Sequence, residues 1–298
     1  MAKRYQWKLK QREIVLGERT LIMGVLNVTP DSFSDGGLYV DPDRAYARAL
    51  ELEDEGADIL DIGAESTRPG AKLISEAEEL RRLIPVLKRL RDKLGIPISV
   101  DTYKSGVAEK AIEHGAEIIN DPTGIILDPN LPKVVAKWDA GLIINHMRGM
   151  PDTWAKLPPL KNLMRSITSD LEASLHRAQQ HGVQRYRIVI DPGIGFGKRK
   201  EQNSEIIAKL ETLRSFDLPV MVAPSRKSFL KQESEVNMEF ATASAVAACI
   251  LNGAHIVRVH NVKAMKPVFE VADAIRQSGE EEDTAGAVQT TTYRKVDR

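Results

Sequence analysis

"EGADIL" at residues 55–60 sets a pattern that returns as "HGAEII" at 114–119 and "NGAHIV" at 252–257. In each stretch a helix-period segment ends and a Gly stands where a left-handed residue commonly closes a helix. A run of Ile, Leu or Val follows, which indicates a buried strand. The recurrence of one phrase at three distant points predicts an α/β chain in which helices and strands alternate.

The alternation occurs eight times in all. The predicted strands, rich in Val and Ile, are residues 20–27, 58–64, 97–102, 117–121, 141–147, 187–193, 219–225 and 255–261. Helix-period segments lie between them, for example over 75–95 and 162–182, and Gly95 and Gly182 are predicted to end these two helices. Near-continuous apolar strands indicate a sheet covered on both faces. Eight βα units predict a single (β/α)8 TIM barrel over residues 20–278.

The two ends of the chain fall outside this barrel. Residues 5–18, "YQWKLKQREIVLGE", alternate in polarity and predict a short N-terminal hairpin, part of a segment 1–19 across the bottom of the barrel. Residues 279–298 lack periodicity and predict a disordered C-terminal tail. A doubly wound open sheet is the alternative fold, but no GxGxxG motif follows the first strand.

Composition excludes several classes of protein. Lys plus Arg and Asp plus Glu both number 42, so no basic surplus favours a nucleic-acid partner. The single cysteine, Cys249, excludes an internal disulfide and a multi-cysteine metal site, and its apolar surroundings predict a core residue. No apolar run reaches the roughly 18 residues that suggest a membrane span. The charged N-terminal segment is unlike a signal peptide, so a cytoplasmic protein is expected.

Polar residues follow nearly every predicted strand. TIM-barrel active sites lie at the C-terminal ends of the strands. Those ends hold Asn27, the segment 64–70, Asp101, Asn120, Asp121, His146, Asp191, Ser225, Arg258 and His260. Helix capping is the alternative for Asp101 in particular. Burying the whole set unpaired would cost about 1–3 kcal/mol per group, so together these residues predict a polar ligand.

The strand-end side chains fall into two chemical groups. The first group is cationic or can become so, and comprises Arg68, Lys198, Arg226, Lys227, Arg258 and His260. Such a set suits a phosphate or pyrophosphate, which Arg binds in a bidentate fashion. The second group, Asp101, Asn120 and Asp191, suits a heterocycle with several N–H donors and a carbonyl. Neither group resembles a hydrolytic carboxylate pair or a Ser-His-Asp triad.

Seven motifs, in order along the chain, resemble the dihydropteroate synthases, a family of pterin-binding barrels in folate biosynthesis. They are "NVTPDSFSDGG" (27–37), "ESTRPGA" (65–71), "SVDTYK" (99–104), "IND" (119–121), "DPGIGFGK" (191–198), "SRKS" (225–228) and "RVHNV" (258–262). The resemblance spans residues 20 to about 277. It implies a transferase that joins 6-hydroxymethyl-7,8-dihydropterin pyrophosphate to 4-aminobenzoate, releasing pyrophosphate and giving 7,8-dihydropteroate.

The resemblance also implies a role for individual residues. The pterin ring would be held by Asp101, Asn120, Asp191 and Lys227, between Met147 and Phe196. The pyrophosphate would be held by Asn27, Arg68, Arg258 and His260, with Mg²⁺ at Asn27. The aminobenzoate would be framed by Phe33, Thr67, Pro69, Ser225 and Lys227. The catalytic residues implied are Asp101, Lys227 and Arg258, the partners are these small-molecule substrates, and the family commonly forms homodimers.

The long loop 27–37 exceeds the roughly two to six residues of an ordinary strand-to-helix connection. We expect that loop and the loop 64–71 to close over the substrates. The chain departs from the family's usual residues at Ala64, Pro224 and Asn261, in "INDPTG", and in a short segment after the seventh strand. These departures leave open a pterin-binding paralogue without synthase activity. A methyltransferase that uses methyltetrahydrofolate is a second alternative, because it shares the pterin-binding Asp and Asn positions.

Overall fold

The computed structural model describes residues 3–29, 41–66 and 73–289, and the side chains of these residues up to 279. Eight parallel strands form its main sheet. They are β3 Leu21–Asn27, β4 Ile59–Gly63, β5 Ile98–Asp101, β6 Ile118–Asp121, β7 Gly141–Asn145, β8 Ile188–Asp191, β9 Met221–Val222 and β10 Ile256–Val259. Each lies within a predicted strand, so the eightfold pattern is confirmed.

The sheet closes into a barrel. Hydrogen bonds connect the strands in the order β8-β7-β6-β5-β4-β3-β10-β9, and an isolated parallel bridge between Ile190 and Val220 joins the two ends of this series. The competing open sheet is thereby excluded, and the predicted α/β TIM barrel is confirmed. The register places Asn27, Gly63, Asp101 and Asn120 opposite one another across four neighbouring strands. These positions form one line at the C-terminal edge of the barrel.

Helices surround the sheet in the part of the chain that is described. They are α1 Pro42–Asp54, α2 Glu76–Leu90, α3 Ser105–Glu113, α4 Leu131–Trp138, α5 Leu163–Gln180, α6 Lys200–Ala208, α7 Glu235–Leu251 and α8 Val262–Gln289. Gly182 follows α5 at φ +94°, as predicted for a helix-closing glycine. The prediction for Gly95 is wrong, because α2 ends earlier and Asp92 takes the left-handed conformation at φ 58°.

The bottom of the barrel is plugged by the predicted N-terminal hairpin. Its strands, β1 Tyr5–Lys8 and β2 Glu13–Leu16, pair antiparallel. Trp7 and Leu16 are buried against the first inward-facing residues of the barrel strands, among them Ile59 and Ile256. The Trp7 indole N–H also donates to the carbonyl of Arg187 at 2.8 Å. Since this end is filled with apolar side chains, polar chemistry is confined to the opposite mouth.

The C-terminal helix is longer than the sequence indicates. Helix α8 continues to Gln289, which is well inside the segment 279–298 predicted as a disordered tail, and residues 290–298 lie outside the described part of the chain.

None of the described helices is both long enough and apolar enough to cross a membrane.

Candidate active site

Five predicted residues from different strand ends meet at the barrel mouth: Asp101, Asn120, Asp191, Lys227 and Arg258. Arg258 donates from a terminal nitrogen to Asp101 Oδ2 at 3.1 Å. The ammonium of Lys227 is close enough to Arg258, Asp191 and Asp101 to interact electrostatically with all three. Asn120 and Asp191 are 5% and 2% exposed. The structure therefore brings together the acidic and the cationic groups that the sequence identified separately.

Asp61 links these groups and was missed by sequence reasoning. Arg258 Nε donates to Asp61 Oδ2 at 2.6 Å, and Asn120 Nδ2 donates to the same oxygen at 3.3 Å. The carboxylate is fully buried, and its Oδ1 has no hydrogen-bond partner among the described residues. A detectable signal was present, because Ile59 faces the interior and side chains alternate along a strand. Asp61 is therefore also an inward-facing residue.

Burial shapes the protonation of the carboxyl groups. It raises the pKa of Asp101 to about 7; nearby Arg258 opposes this shift, and nearby Asp61 adds to it. Burial likewise raises the pKa of Asp191 to about 6, although the backbone N–H of Gly193 donates to this carboxylate at 2.6 Å. A carboxyl group with a pKa near neutrality can be either an acceptor or a donor of a proton.

The capping alternative for Asp101 is wrong. The first backbone N–H of α3, that of Ser105, donates to Asp128 Oδ2 at 2.8 Å, and the N–H of Lys104 donates to Thr102 Oγ1 at 3.2 Å. Among the described residues, the Asp101 carboxylate pairs with Arg258. The carboxylate therefore belongs to the mouth of the barrel and not to the helix that follows it.

Lys227 has an unusual environment for a cation. Burial lowers the pKa of its ammonium to about 8, and the adjacent charge of Arg258 contributes in the same direction. The ammonium nitrogen lies 4.3 Å from the centroid of the Phe196 ring. Among the described residues, this ammonium has no hydrogen-bond partner. Its three donors are thus free for a ligand.

Two predicted phosphate-binding cations serve other purposes. The ammonium of Lys198 donates to the carbonyls of His146 at 2.9 Å, Pro192 at 2.9 Å and Gly193 at 2.6 Å. It thereby braces the loop after β8. Arg226 forms a salt bridge with Glu239 of α7. Strand-end position alone could not reveal either contact, because both depend on which neighbouring element packs against the side chain.

The remaining described residues lie at the expected ends of the strands. The side chains of Ser225 and His260 pair at 3.0 Å between Oγ and Nδ1. Met147 lines a cleft that includes Asp101 and Thr123. Phe33, Thr67, Arg68 and Pro69, together with most of the two loops expected to close, lie outside the described residues.

A buried ion cluster supports the stem of the loop after β4. Lys104 Nζ lies 2.5 Å from both Glu65 and Glu79, whose side chains are 7% and 1% exposed. Glu65 also accepts the backbone N–H of Ile74 at 2.9 Å, which ties together the two described ends of that loop. Burial raises the pKa of Glu79 in spite of the adjacent Lys104 ammonium. Buried ion pairs add little net stability, and they can instead fix one geometry.

Three of the departures from the usual family residues make local hydrogen bonds within the described part of the chain. Asn261 Oδ1 accepts the backbone N–H of Ala264 at 3.1 Å, so it caps the first turn of α8 as an Asp would. Ala64 is buried, and its carbonyl accepts from Arg82 at 3.0 Å. The carbonyl of Pro224 accepts the backbone N–H of Lys227 at 3.3 Å, which closes the turn that presents that lysine.

The described residues offer no protein-only metal cage, because no three His, Cys, Asp or Glu side chains are grouped to hold an ion. Asn27 ends β3, and its Oδ1 flanks Gly63 together with Asp101. Mg²⁺ prefers oxygen ligands and usually binds through one or two protein groups together with substrate phosphates. The amide oxygen of Asn27 fits that mode of binding.

The chain is similar to known proteins in both sequence and overall structure. A family model described as pterin binding enzyme matches residues 23–260. A dihydropteroate synthase from Clostridium beijerinckii is 41% identical over 90% of this chain and 98% of its own. A Clostridium difficile dihydropteroate synthase solved in the presence of pteroic acid is 42% identical, has a TM-score of 0.81, and is matched over 87% of this chain and 98% of its own. One from Xanthomonas albilineans with 4-aminobenzoic acid is 35% identical, has a TM-score of 0.84, and is matched over 92% and 99%.

Proposed function

The chain belongs to the pterin binding enzyme family, and on that premise we propose that it acts as a dihydropteroate synthase. The reaction joins 6-hydroxymethyl-7,8-dihydropterin pyrophosphate to 4-aminobenzoate, with release of pyrophosphate and formation of 7,8-dihydropteroate. The observation that carries the proposal is the buried network at the barrel mouth, in which Arg258 bonds both Asp61 and Asp101 beside the free ammonium of Lys227.

The pterin ring presents an amino group, ring N–H groups and a carbonyl. We assign the N–H groups to Asp191 and to the side-chain oxygen of Asn120, which accept hydrogen bonds, and the carbonyl to the ammonium of Lys227. Phe196, which is 8% exposed, and Met147 supply apolar surface for the faces of the ring. The low solvent exposure of these groups favours binding of the ligand, because the ligand supplies their hydrogen-bond partners. A buried polar group left without a partner costs about 1–3 kcal/mol of stability.

The pyrophosphate is assigned to the cationic side of the mouth. Arg258 uses Nε and one terminal nitrogen on carboxylates, and its other terminal nitrogen has no partner among the described residues. The phosphate oxygens would be bound by this second terminal nitrogen of Arg258, together with His260 and Arg68. We further propose that Asn27 Oδ1 holds Mg²⁺, which would supply positive charge against the leaving pyrophosphate.

The charge distribution suits a displacement in which the leaving group departs early. Breaking the bond between the methylene carbon and the pyrophosphate oxygen leaves positive charge on the dihydropterin, and an ionised Asp101 beside the ring stabilises that charge. The aminobenzoate nitrogen then attacks the carbon and loses a proton. The aniline is a weak nucleophile that needs no strong base, so positioning and exclusion of water matter most.

An assay separates the proposed activity from the two alternatives. We expect the purified protein with Mg²⁺ to release pyrophosphate from the pterin pyrophosphate only when 4-aminobenzoate is added, with 7,8-dihydropteroate identified by mass spectrometry. A paralogue without synthase activity would bind the pterin and release nothing. A methyltransferase would instead consume methyltetrahydrofolate, and either of these outcomes would overturn the proposal.

We also propose a cytoplasmic homodimer. The buried, unpaired thiol of Cys249 is typical of a reducing compartment. Helices α7 and α8 pack together and expose large apolar side chains, including Phe240 at 68%, Val236 at 64%, Val271 at 60% and Ile275 at 56%. Each of the two packed helices thus has a pair of exposed apolar residues spaced four apart, and exposed apolar surface of this kind commonly marks a protein interface.

Phe240→Asp is expected to weaken this dimer at least about 30-fold, since an aromatic anchor lost from an interface core commonly costs about 2 kcal/mol or more. Sedimentation equilibrium across a concentration series measures the change. Tyr186→Asp, which alters a side chain that is 48% exposed elsewhere on the barrel, is the matched control. A parent protein that is monomeric at high micromolar concentration, or an unchanged dimer in Phe240→Asp, would exclude this interface.

A further inference from the structure

Trp154 has no assigned role, yet it packs against the aromatic wall of the site. It begins a short 3-10 turn, Trp154–Lys156, in the connection between β7 and α5. Its ring meets that of Phe196 edge to face, with centroids 5.4 Å apart and planes at 69°. Both side chains are 8% exposed. Edge-to-face pairs are a favoured aromatic geometry and fix the orientation of both rings.

The segment around Trp154 is fastened to the loop that carries Phe196. The Trp154 indole N–H donates to the carbonyl of Gly149 at 3.0 Å. Arg199, just after the Phe196 loop, donates to the carbonyl of Leu157 at 2.8 Å. At Gly197, where φ is +73°, an added Cβ would lie 2.3 Å from the carbonyl oxygen of Arg148, so the two segments approach as closely as a glycine permits.

Phe196 in turn sets the surroundings of Lys227. The ammonium lies 4.3 Å from the ring centroid, and a Cβ added at Gly195 would lie 3.0 Å from Lys227 Cδ. The loop therefore contacts both the charged head and the aliphatic stem of this lysine. The ammonium has no hydrogen bond to a described residue, so its contact with the Phe196 ring helps to fix its position.

We propose that Trp154 is a positioning residue: it holds Phe196 from the edge and thereby fixes where the Lys227 ammonium meets the pterin ring. The inference rests on the proposed function, since it assigns a role within the same site. It extends that site by a residue in the β7–α5 connection that does not itself contact the substrate.

The proposal has a consequence for the titration of Lys227. The charged groups near its ammonium are Arg258 on β10, Asp191 on β8 and Asp101 on β5, with Lys198 beyond. A cation over an aromatic ring is stabilised in its charged form. Displacing Phe196 removes that stabilisation and lowers the pKa of Lys227 below its present value of about 8. The charged form would then be lost at a lower pH.

The test compares Trp154→Leu with Trp154→Phe. We measure kcat/KM for the pterin pyrophosphate as a function of pH and compare the basic limb, the pH range in which kcat/KM falls as pH rises. In Trp154→Leu this limb is expected to move to lower pH by about 0.5–1 pH unit, which corresponds to the ordinary strength of a cation–π contact. Trp154→Leu is also expected to raise KM for that substrate about three- to tenfold, with kcat changed less. Trp154→Phe keeps an aromatic edge, so its basic limb should lie close to that of the parent protein.

Trp138→Leu is the matched control, because Trp138 also lies under a lysine, Lys10 at 4.7 Å, but at the barrel bottom. In Trp138→Leu the basic limb of the kcat/KM profile should lie at the same pH as in the parent protein. An unchanged limb in Trp154→Leu, or the same shift in Trp138→Leu, would overturn the inference. If Trp154→Leu does not fold, Trp154→Met takes its place, because it also lacks an aromatic edge, and an unchanged basic limb in that variant would overturn the inference.

Calorimetric binding of 6-hydroxymethylpterin as a function of pH gives a readout that needs no turnover. We expect the affinity of Trp154→Leu to begin to fall at a lower pH than that of the parent protein. A parent protein that binds pterin but makes no dihydropteroate would contradict the proposed function. The comparison of the two pH profiles would still test the role of Trp154.

Discussion

Asp101→Asn is expected to slow the single-turnover formation of 7,8-dihydropteroate at saturating substrates by about tenfold to a thousandfold, equal to roughly 1.4–4 kcal/mol. The change keeps the shape of the side chain and one acceptor oxygen but removes the charge. If the ionised carboxylate stabilises the positive charge that develops on the dihydropterin, its loss lowers the rate even when binding is saturated. Rapid quenching with chromatographic detection measures this rate.

A role for Asp101 in recognition alone predicts a different result. The variant would then bind pterin more weakly but turn over at the parent rate once saturated. A thermal melt in parallel separates chemistry from folding. A variant that is destabilised but keeps full single-turnover activity would give Asp101 a structural role and leave the pterin assignment with Asn120, Asp191 and Lys227. The rate should be compared above pH 7, where the parent carboxyl group, with a pKa of about 7, is mostly ionised.

Arg258→Met is expected to lower kcat/KM for the pterin pyrophosphate by about a hundredfold to ten-thousandfold. Two losses combine: the charge-assisted bonds to the pyrophosphate, and the bonds that pair Asp61 and Asp101. Removing the cation that opposes burial would raise the pKa of Asp101 further, so more of that carboxyl group is protonated at neutral pH. Breaking a buried ion pair by removing one partner typically costs about 3–5 kcal/mol.

The double variant Arg258→Met/Asp61→Leu separates stability from function. Replacing a buried ion pair by apolar residues is often neutral, so the unfolding free energy should recover largely, as measured by urea denaturation. Activity should stay low, because the pyrophosphate contact is still missing. Calorimetric titration of pyrophosphate with Mg²⁺ is the direct check. Unchanged affinity in Arg258→Met, or activity restored together with stability, would remove Arg258 from the pyrophosphate site.

The barrel and much of its mouth could be predicted from sequence because both follow from local pattern. Apolar runs predicted the strands, and the rule that chemistry lies at strand C-termini located Asp101, Asn120, Asp191 and Arg258. Asp61 escaped that rule because it lies within a strand, two residues before its end. The alternation that makes Asp61 face the barrel interior could have revealed it.

The remaining differences arise from contacts between distant segments. Lys198 and Arg226 stand at strand ends, but their partners, backbone carbonyls and Glu239, are set by packing. The cluster of Lys104 with two glutamates and the contact between Trp154 and Phe196 likewise join segments that sequence spacing cannot relate. Helix α2 ended before Gly95 because Asp92 accepted a left-handed conformation, which Asp tolerates better than most residues.

The measurement that tests the central claim most directly is a single-turnover experiment on the parent protein. The protein is mixed in excess with the dihydropterin pyrophosphate, 4-aminobenzoate and Mg²⁺, and the quenched samples are analysed for both products. We predict that 7,8-dihydropteroate and pyrophosphate appear together in equal amounts, and that neither forms without aminobenzoate. Pterin binding by calorimetry without any dihydropteroate would contradict the proposed activity and leave only a pterin-binding barrel.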